Sequence, residues 1–272
     1  ITDSIVYFEL QKTGSSYVRS VMQNMFPDSH MTIGGHNTYY SVSKDILGDF
    51  NQKLKVGNIR NPWDWYVSLW AFGCQKKGAL YERLTRNRLA NNFIFSEVGA
   101  KYIIKRVIGN EYKWLTPKTW QKLYSDVYNL ENFNAWLQLI LSPERFDIGE
   151  KYKTKKLSKF TGLLTYRYLF LYTYSEQLKN IDSLFSLERY DSNKNFMDII
   201  IRNEKMNEDL TQLADKINYE MRSFNRILKK KQNPINRSLR ERDYRKYYND
   251  VSVSLVQKYE SHIISKYGYQ FE

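Results

Sequence analysis

Cysteine is almost absent from this 272-residue chain. Cys74 stands alone, so no internal disulfide can form. Histidine is nearly as scarce: His30, His36 and His262 are the whole set, and with a single cysteine they leave no cluster at metal-ligand spacing. No apolar run approaches the ~18 residues that a membrane-spanning helix needs. The opening run of Ile5, Val6, Tyr7 and Phe8 is short and carries no cleavage pattern, so it does not read as a secretory signal. Together these absences predict a protein of a reducing compartment, the cytoplasm, with neither a metal cluster nor a membrane span. Negative charge is also in short supply. Asp and Glu number 29 against 42 Lys and Arg, a formal net charge of +13. With 42% hydrophobic residues the chain can build a sizeable core, which argues against disorder.

A positive surplus of this size steers anions toward the surface. Nucleic acid, an acidic membrane surface, a phosphorylated cofactor and an anionic polymer all fit, and a merely solubilising surface is the plain alternative. Part of the excess is concentrated. Arg226, Lys229, Lys230, Lys231, Arg237, Arg240, Arg242, Arg245 and Lys246 fall close together, opposed only by Glu241 and Asp243. Lys151, Lys153, Lys155, Lys156 and Lys159 form a second basic run, best read as a solvated face.

Along the chain, Ile5 to Leu10 reads as a buried strand that breaks at Lys12-Thr13-Gly14-Ser15-Ser16. A helix follows with Val18, Val21, Met22 and Met25 on one face. Beyond Gly34, Gly35 and His36, a helix with Val42, Ile46 and Phe50 on one side is expected. Val56 to Arg60 reads as a second strand. Asn61 is then a good N-cap, Pro62 suits the first helical position and Asp64 suits the positive helix start. The helix that follows should bury Trp63, Val67, Trp70 and Cys74. From about 78 to 190 the pattern is helical and aromatic-rich, with Phe133, Leu137, Ile140 and Leu141 at helical spacing. A third strand, Met197 to Arg202, precedes a helix from about Asn207 to Ile217. One last helix carries Val251, Leu255, Val256, Tyr259, Ile263 and Tyr267 on a single stripe and is capped by Gly268. Strand-turn-helix repeated in this way predicts an α/β fold, a central parallel sheet flanked by helices. No repeat or long linker divides it, so residues 1–272 read as one domain. Its core is formed by about 1–77 and 190–272, with a largely helical insertion at about 78–190.

Two segments carry chemistry. A strand that ends in a small-residue turn and opens a helix presents unpaired backbone N–H groups and a positive dipole end to an anion. Lys12 adds a mobile charge, Gly14 permits close backbone approach, and Ser15 and Ser16 add hydroxyl donors. The Walker spacing is missing, because the lysine precedes the glycine. In the second segment, Arg60-Asn61-Pro62-Trp63-Asp64-Trp65-Tyr66-Val67-Ser68, the residues Asn61, Pro62 and Asp64 are explained as a helix start. Arg60 instead sits where a strand ends, at the edge where open α/β sheets bind ligands. Ser68 shares the face of Asp64, so an arginine fork and a hydroxyl can converge there on a phosphate.

This pair of segments resembles the cofactor-binding elements of sulfotransferases that use 3′-phosphoadenosine-5′-phosphosulfate (PAPS). The loop Lys12-Thr13-Gly14-Ser15-Ser16 is similar to the one that grips the 5′-phosphosulfate in that family. Arg60 to Ser68 matches every fixed position of its Arg-Asn-Pro-x-Asp-x-x-x-Ser element for the 3′-phosphate. Weaker likeness continues at Ile201 to Glu204, at Asn236-Arg237-Ser238 and from Tyr247 to Phe271, so about half the chain is covered. Residues 78–190 match nothing, and an acceptor pocket would diverge there. Gln11 stands where the family often has proline, and the late Lys-Gly-rich segment of the small-molecule branch is missing, so the likeness is nearer the carbohydrate-acting and microbial branches. Richness in Asn, Lys, Ile and Tyr fits an AT-rich microbial or viral genome.

The resemblance implies a P-loop NTPase-like fold and sulfuryl transfer from PAPS to a hydroxyl acceptor, a carbohydrate, without a metal. Adenosine 3′,5′-bisphosphate is the product. Lys12 and the loop would neutralise the leaving-group charge in an in-line displacement. His36 is the first choice of general base, since an imidazole with a pKa of ~6.5 suits proton abstraction near neutral pH. The Gly35-His36 segment also resembles that of the uronyl 2-O-sulfotransferase branch. His30 and Glu9 are the alternatives. Arg237 or Arg240 would reach the 3′-phosphate region. Tyr81, Phe93, Tyr102, Tyr112, Trp114, Trp120, Tyr124 and Tyr128 are read mainly as core. Competing readings are a P-loop kinase, which lacks its Walker glycine, and a basic nucleic-acid-binding module, which gives no reason for the spacing of Arg60 and Ser68.

Overall fold

The computed structural model describes residues 1–29, 31, 36–42, 48–86, 117–141, 148, 152, 156–230 and 238–272. His30, Gly34, Gly35, Ile46, Phe93, Tyr102, Tyr112, Trp114, Lys151, Lys153, Lys155, Asn236 and Arg237 lie outside them. The described chain is mixed α/β and mostly helical, around a small parallel sheet. Strand β1 (Ile5–Tyr7) pairs with β2 (Leu54–Ile59), and β2 pairs with β3 (Ile199–Arg202), in the order β1-β2-β3.

Both faces of the sheet are covered, as parallel sheets require. Side chains alternate along each strand, so Ile5, Val56 and Ile201 face one way, against helices α1 (Ser15–Met25) and those spanning Met206–Lys216 and Met221–Lys229. On the opposite face Val6 and Ile59 join a larger core. It is built from α2 (Pro62–Cys74), the helices Leu130–Leu141 and Leu163–Tyr172, and the pair Asp250–Tyr259 and Ser261–Tyr267. The expected faces are buried: Val18, Val21, Met22 and Met25 in α1, and Phe133, Leu137, Ile140 and Leu141 in their helix. In α2, Trp63, Val67 and Trp70 are buried and Cys74 is half-buried, and the neighbouring positions Trp65, Tyr66 and Leu69 are buried as well.

Several boundaries differ from the sequence expectation: β2 covers Leu54–Ile59 rather than Val56–Arg60, and β3 begins at Ile199 rather than Met197. Strand β1 ends at Tyr7 rather than Leu10, because the Leu10 N–H turns to the side chain of Asn58 (3.3 Å) instead of the backbone ladder. The helix expected with Val42, Ile46 and Phe50 on one side falls mainly on residues 43–47, outside the described residues; 3-10 turns lie before and after them, at Tyr39–Ser41 and Phe50–Gln52. The long final helix is broken at Glu260. There the Tyr259 carbonyl leaves the helical ladder to accept from Gly162 N at 2.7 Å. Glu260 is wholly buried and takes donations from the Tyr66 hydroxyl, the Leu164 and Thr165 N–H groups and the Thr165 hydroxyl. Its carboxylate thus caps the positive end of Leu163–Tyr172. A side chain at Gly162 would overlap the Glu260 carboxylate, so the close approach needs glycine there. Gly268 caps the last helix in the left-handed conformation, as read from the sequence.

Candidate functional site

In a parallel sheet all carboxyl ends lie on one edge, so the turns after β1, β2 and β3 converge. The turn after β1 is shaped by a left-handed step at Lys12 (φ 64°) and another at Gly14 (φ 82°). The Thr13 hydroxyl is turned into the protein and donates to the Leu10 carbonyl at 2.6 Å, while Asn58 Nδ2 donates to the Thr13 carbonyl at 3.1 Å. Thr13 therefore holds the loop's shape and is not among the described residues that line the cleft above it. Gly14 precedes the first turn of α1. That turn contains no acidic side chain, and no side chain caps it, so Ser15 and Ser16 do not act as caps. The helix end keeps its positive potential and its unpaired N–H groups.

A Cβ at Gly14 would overlap Met206 and come within 2.8 Å of Asn203 Oδ1. With the positive φ, Gly14→Ala is expected to destabilise the fold by about 1–3 kcal/mol, read as a lower midpoint of thermal unfolding. An unchanged midpoint would mean that Met206 and Asn203 give way.

The turn after β2 is fixed by Asn61. Its Oδ1 accepts from Trp63 N (3.0 Å) and its Nδ2 donates to the Gln270 carbonyl (3.1 Å), while its N–H donates to Glu204 after β3 (2.6 Å). Pro62 occupies the first helical position as expected. These bonds place Arg60 against the first loop, where Nη1 donates to the Lys12 carbonyl at 3.0 Å. The remaining edge of Arg60 is bound to Asp64: Nε donates to Oδ2 at 2.7 Å and Nη2 lies 2.5 Å from the same oxygen. The other carboxylate oxygen accepts from Arg240 Nη2 at 2.5 Å. Arg240 Nη1 is buried with no hydrogen-bond partner.

Lys12, Gly14, Ser15, Ser16, His36, Arg60, Ser68 and Arg240 all line one cleft of about 1020 Å³, so eight of the ten expected site residues meet there. Of the other two, Thr13 lies behind the loop and Arg237 lies outside the described residues. The Lys12 ammonium sits 3.8 Å from the centre of the Phe72 ring and 3.4 Å from the Ser238 hydroxyl. Burial, then the charges of Arg60, Arg240 and Lys77, lower its pKa to about 8. His36 Nδ1 is 2.7 Å from the Glu9 carbonyl. A carbonyl only accepts, so the ring proton belongs on Nδ1, and Nε2 is the nitrogen able to take a second. Glu9 pairs with Arg19 at 3.1 Å and does not line the cleft, which leaves it a poor general base.

Several lining residues have no counterpart among the expected ones. Lys77, Arg167 and Arg242 add positive charge, so the lining holds Lys12, Arg60, Lys77, Arg167, Arg240 and Arg242 and, among the described residues, no carboxylate. Arg167 carried a signal, being the lone charge in the apolar helix Leu163–Tyr172, where it lies under the ring of Trp65. Lys77 carried none. Tyr81, Tyr124 and Tyr128 also line the cleft, although Tyr124 and Trp120 are buried as core. Among the described residues no cluster of His, Cys, Asp or Glu is arranged to hold a metal, and no helix is long and apolar enough to cross a membrane. Comparison of the chain with protein-family models, with curated proteins and with solved structures found no match.

Proposed function

We propose that this protein is a sulfotransferase that moves a sulfuryl group from PAPS to a hydroxyl, the acceptor being a carbohydrate. One observation carries the reading: the two segments that resemble the family's phosphate-binding elements, 48 residues apart at Lys12 and Arg60, meet in a single cationic cleft. The residues present suit a nucleotide with an anionic group at each end, the 5′-phosphosulfate and the 3′-phosphate. Lys12 with the N–H groups of Ser15 and Ser16 would hold the 5′ end, and Arg60, Ser68 and Arg240 the 3′-phosphate. The buried, unpartnered Nη1 of Arg240 is a donor that a phosphate oxygen would satisfy. In this reading the strand-loop-helix units at the sheet edge form the working part of a P-loop-like fold, and the scarcity of cysteine is consistent with a reducing compartment such as the cytoplasm.

The nucleotide supplies an activated sulfuryl group whose departing oxygen gains negative charge. Lys12 and the positive end of α1 stabilise that charge from fixed positions, which is worth more in a partly enclosed cleft than in water. His36 accepts the proton of the attacking hydroxyl on Nε2, and its bond to the Glu9 carbonyl keeps the ring oriented and in the required tautomer. Tyr81 and Tyr128 offer flat faces to a sugar ring in the same cleft.

Titration with adenosine 3′,5′-bisphosphate at moderate salt tests the proposal. Saturable binding that outcompetes ATP with magnesium is expected. A preference for ATP with magnesium would favour a kinase, and steeply salt-dependent binding of oligonucleotides alone would favour a nucleic-acid-binding module. In the same assay Arg60→Ala should weaken the bisphosphate roughly ten- to a hundredfold, since charged hydrogen bonds contribute about 1.5–3 kcal/mol. Unchanged affinity in a folded variant would remove Arg60 from the phosphate clamp.

A further inference from the structure

Asp64 is explained at first sight by its place in the first turn of α2, where a carboxylate complements the helix dipole. That role would leave its side chain solvated. Instead both oxygens are committed, one to Arg60 and the other to Arg240, which lies 176 residues away in sequence. All three side chains are largely withdrawn from solvent, with 13–15% of each exposed. Two guanidinium groups therefore flank one carboxylate, and the trio retains a net positive charge beside the charged Lys12. Without the carboxylate the two cations would repel each other, and long arginine side chains would be free to swing toward water. With it, each presents a fixed edge: Arg60 Nη1 reaches back to the Lys12 carbonyl, and Arg240 Nη1 is left buried without an acceptor.

We propose that Asp64 is a positioning residue, which holds Arg60 and Arg240 side by side as a preformed receptor for a single phosphate group, the 3′-phosphate of the nucleotide. The inference rests on the sulfate-donor reading above and adds to it the source of nucleotide selectivity. Its consequence has a distinctive sign. If Asp64 acted on the ligand only through its charge, removing that charge would strengthen anion binding. As a positioning group, its removal weakens binding, because the receptor must then be ordered by the ligand itself.

The test compares adenosine 3′,5′-bisphosphate with adenosine 5′-phosphate, which lacks the 3′ group, by calorimetry on the full chain. Wild type should prefer the bisphosphate. Asp64→Asn should lose about tenfold or more of that preference, the scale of a charged hydrogen bond, while its affinity for adenosine 5′-phosphate stays near that of wild type. A preference equal to or above the wild-type value in Asp64→Asn overturns the positioning role and leaves the donor reading standing. Absence of any preference in wild type overturns both. Should Asp64→Asn fail to fold, Arg240→Lys tests the same clamp, for it keeps the charge but removes the fork. Its preference should fall likewise, and an unchanged preference overturns the proposal.

Discussion

Lys12→Ala should lower turnover by roughly 10²–10³-fold, the usual cost of removing one fixed donor from a developing oxyanion. The ammonium has few other tasks: its recorded contacts are the Phe72 ring and the Ser238 hydroxyl, and neither anchors the fold. The same residue predicts a pH dependence. Burial and three cationic neighbours lower the Lys12 pKa to about 8, so in the ligand-free protein it is charged below that pH and neutral above it. Anion binding needs the charged form. Affinity for adenosine 3′,5′-bisphosphate should therefore be fully present below about 8 and decline as the pH rises beyond it. An anion bound beside the amine raises its pKa, so binding near pH 8 should take up protons, measurable by calorimetry in buffers of different ionisation enthalpy. Proton-neutral binding across that range would remove Lys12 from the anion site.

Replacing His36 should reduce turnover by ~10²-fold or more while sparing nucleotide affinity, as expected for a general base. His36→Ala is the direct test. His36→Asn is the cleaner one, because position 36 sits at φ 66°, a left-handed conformation that asparagine tolerates and alanine resists. Single-turnover transfer to a glycan panel, with bisphosphate binding measured in parallel, separates the two effects. Undiminished turnover would assign proton removal to another group in the cleft. Parallel loss of binding and turnover would show that His36 shapes the loop instead.

The site was legible where its logic is local. A strand, a small-residue turn and a helix start can each be read from a few neighbours, and the carboxyl edge of a parallel sheet then brings Lys12 and Arg60 together. Asn61 behaves as the cap its type and position predict, and α1 buries the face its spacing predicts. What escaped the sequence depends on distant partners. Asp64 looks like a helix-start residue until Arg240 arrives from the far side of the chain. The inward turn of the Thr13 hydroxyl onto the Leu10 carbonyl is not written in its neighbours either. The stripe from Val251 to Tyr267 gives no hint of a break, because the break comes from a hydrogen bond donated by Gly162. Lys77 and Arg242 enter the cleft through loop paths that no periodicity encodes. The short strands also run against expectation, since apolar alternation such as Phe8 and Leu10 about Glu9 reads as strand whether or not a partner strand reaches it.

The register of β2 against β3 has a further consequence. Gly57 lies opposite Ile200, so the middle strand acquires its second neighbour only after the long stretch of chain between β2 and β3 has been made. On the ribosome, the segment carrying Lys12 and Arg60 emerges with one edge of β2 bare, and the cleft has no Arg240 wall until residue 240 clears the exit tunnel. The nascent chain thus carries the Lys12 and Arg60 segments long before the cleft they line is complete, and an unpartnered strand edge in that interval is a natural target for chaperones.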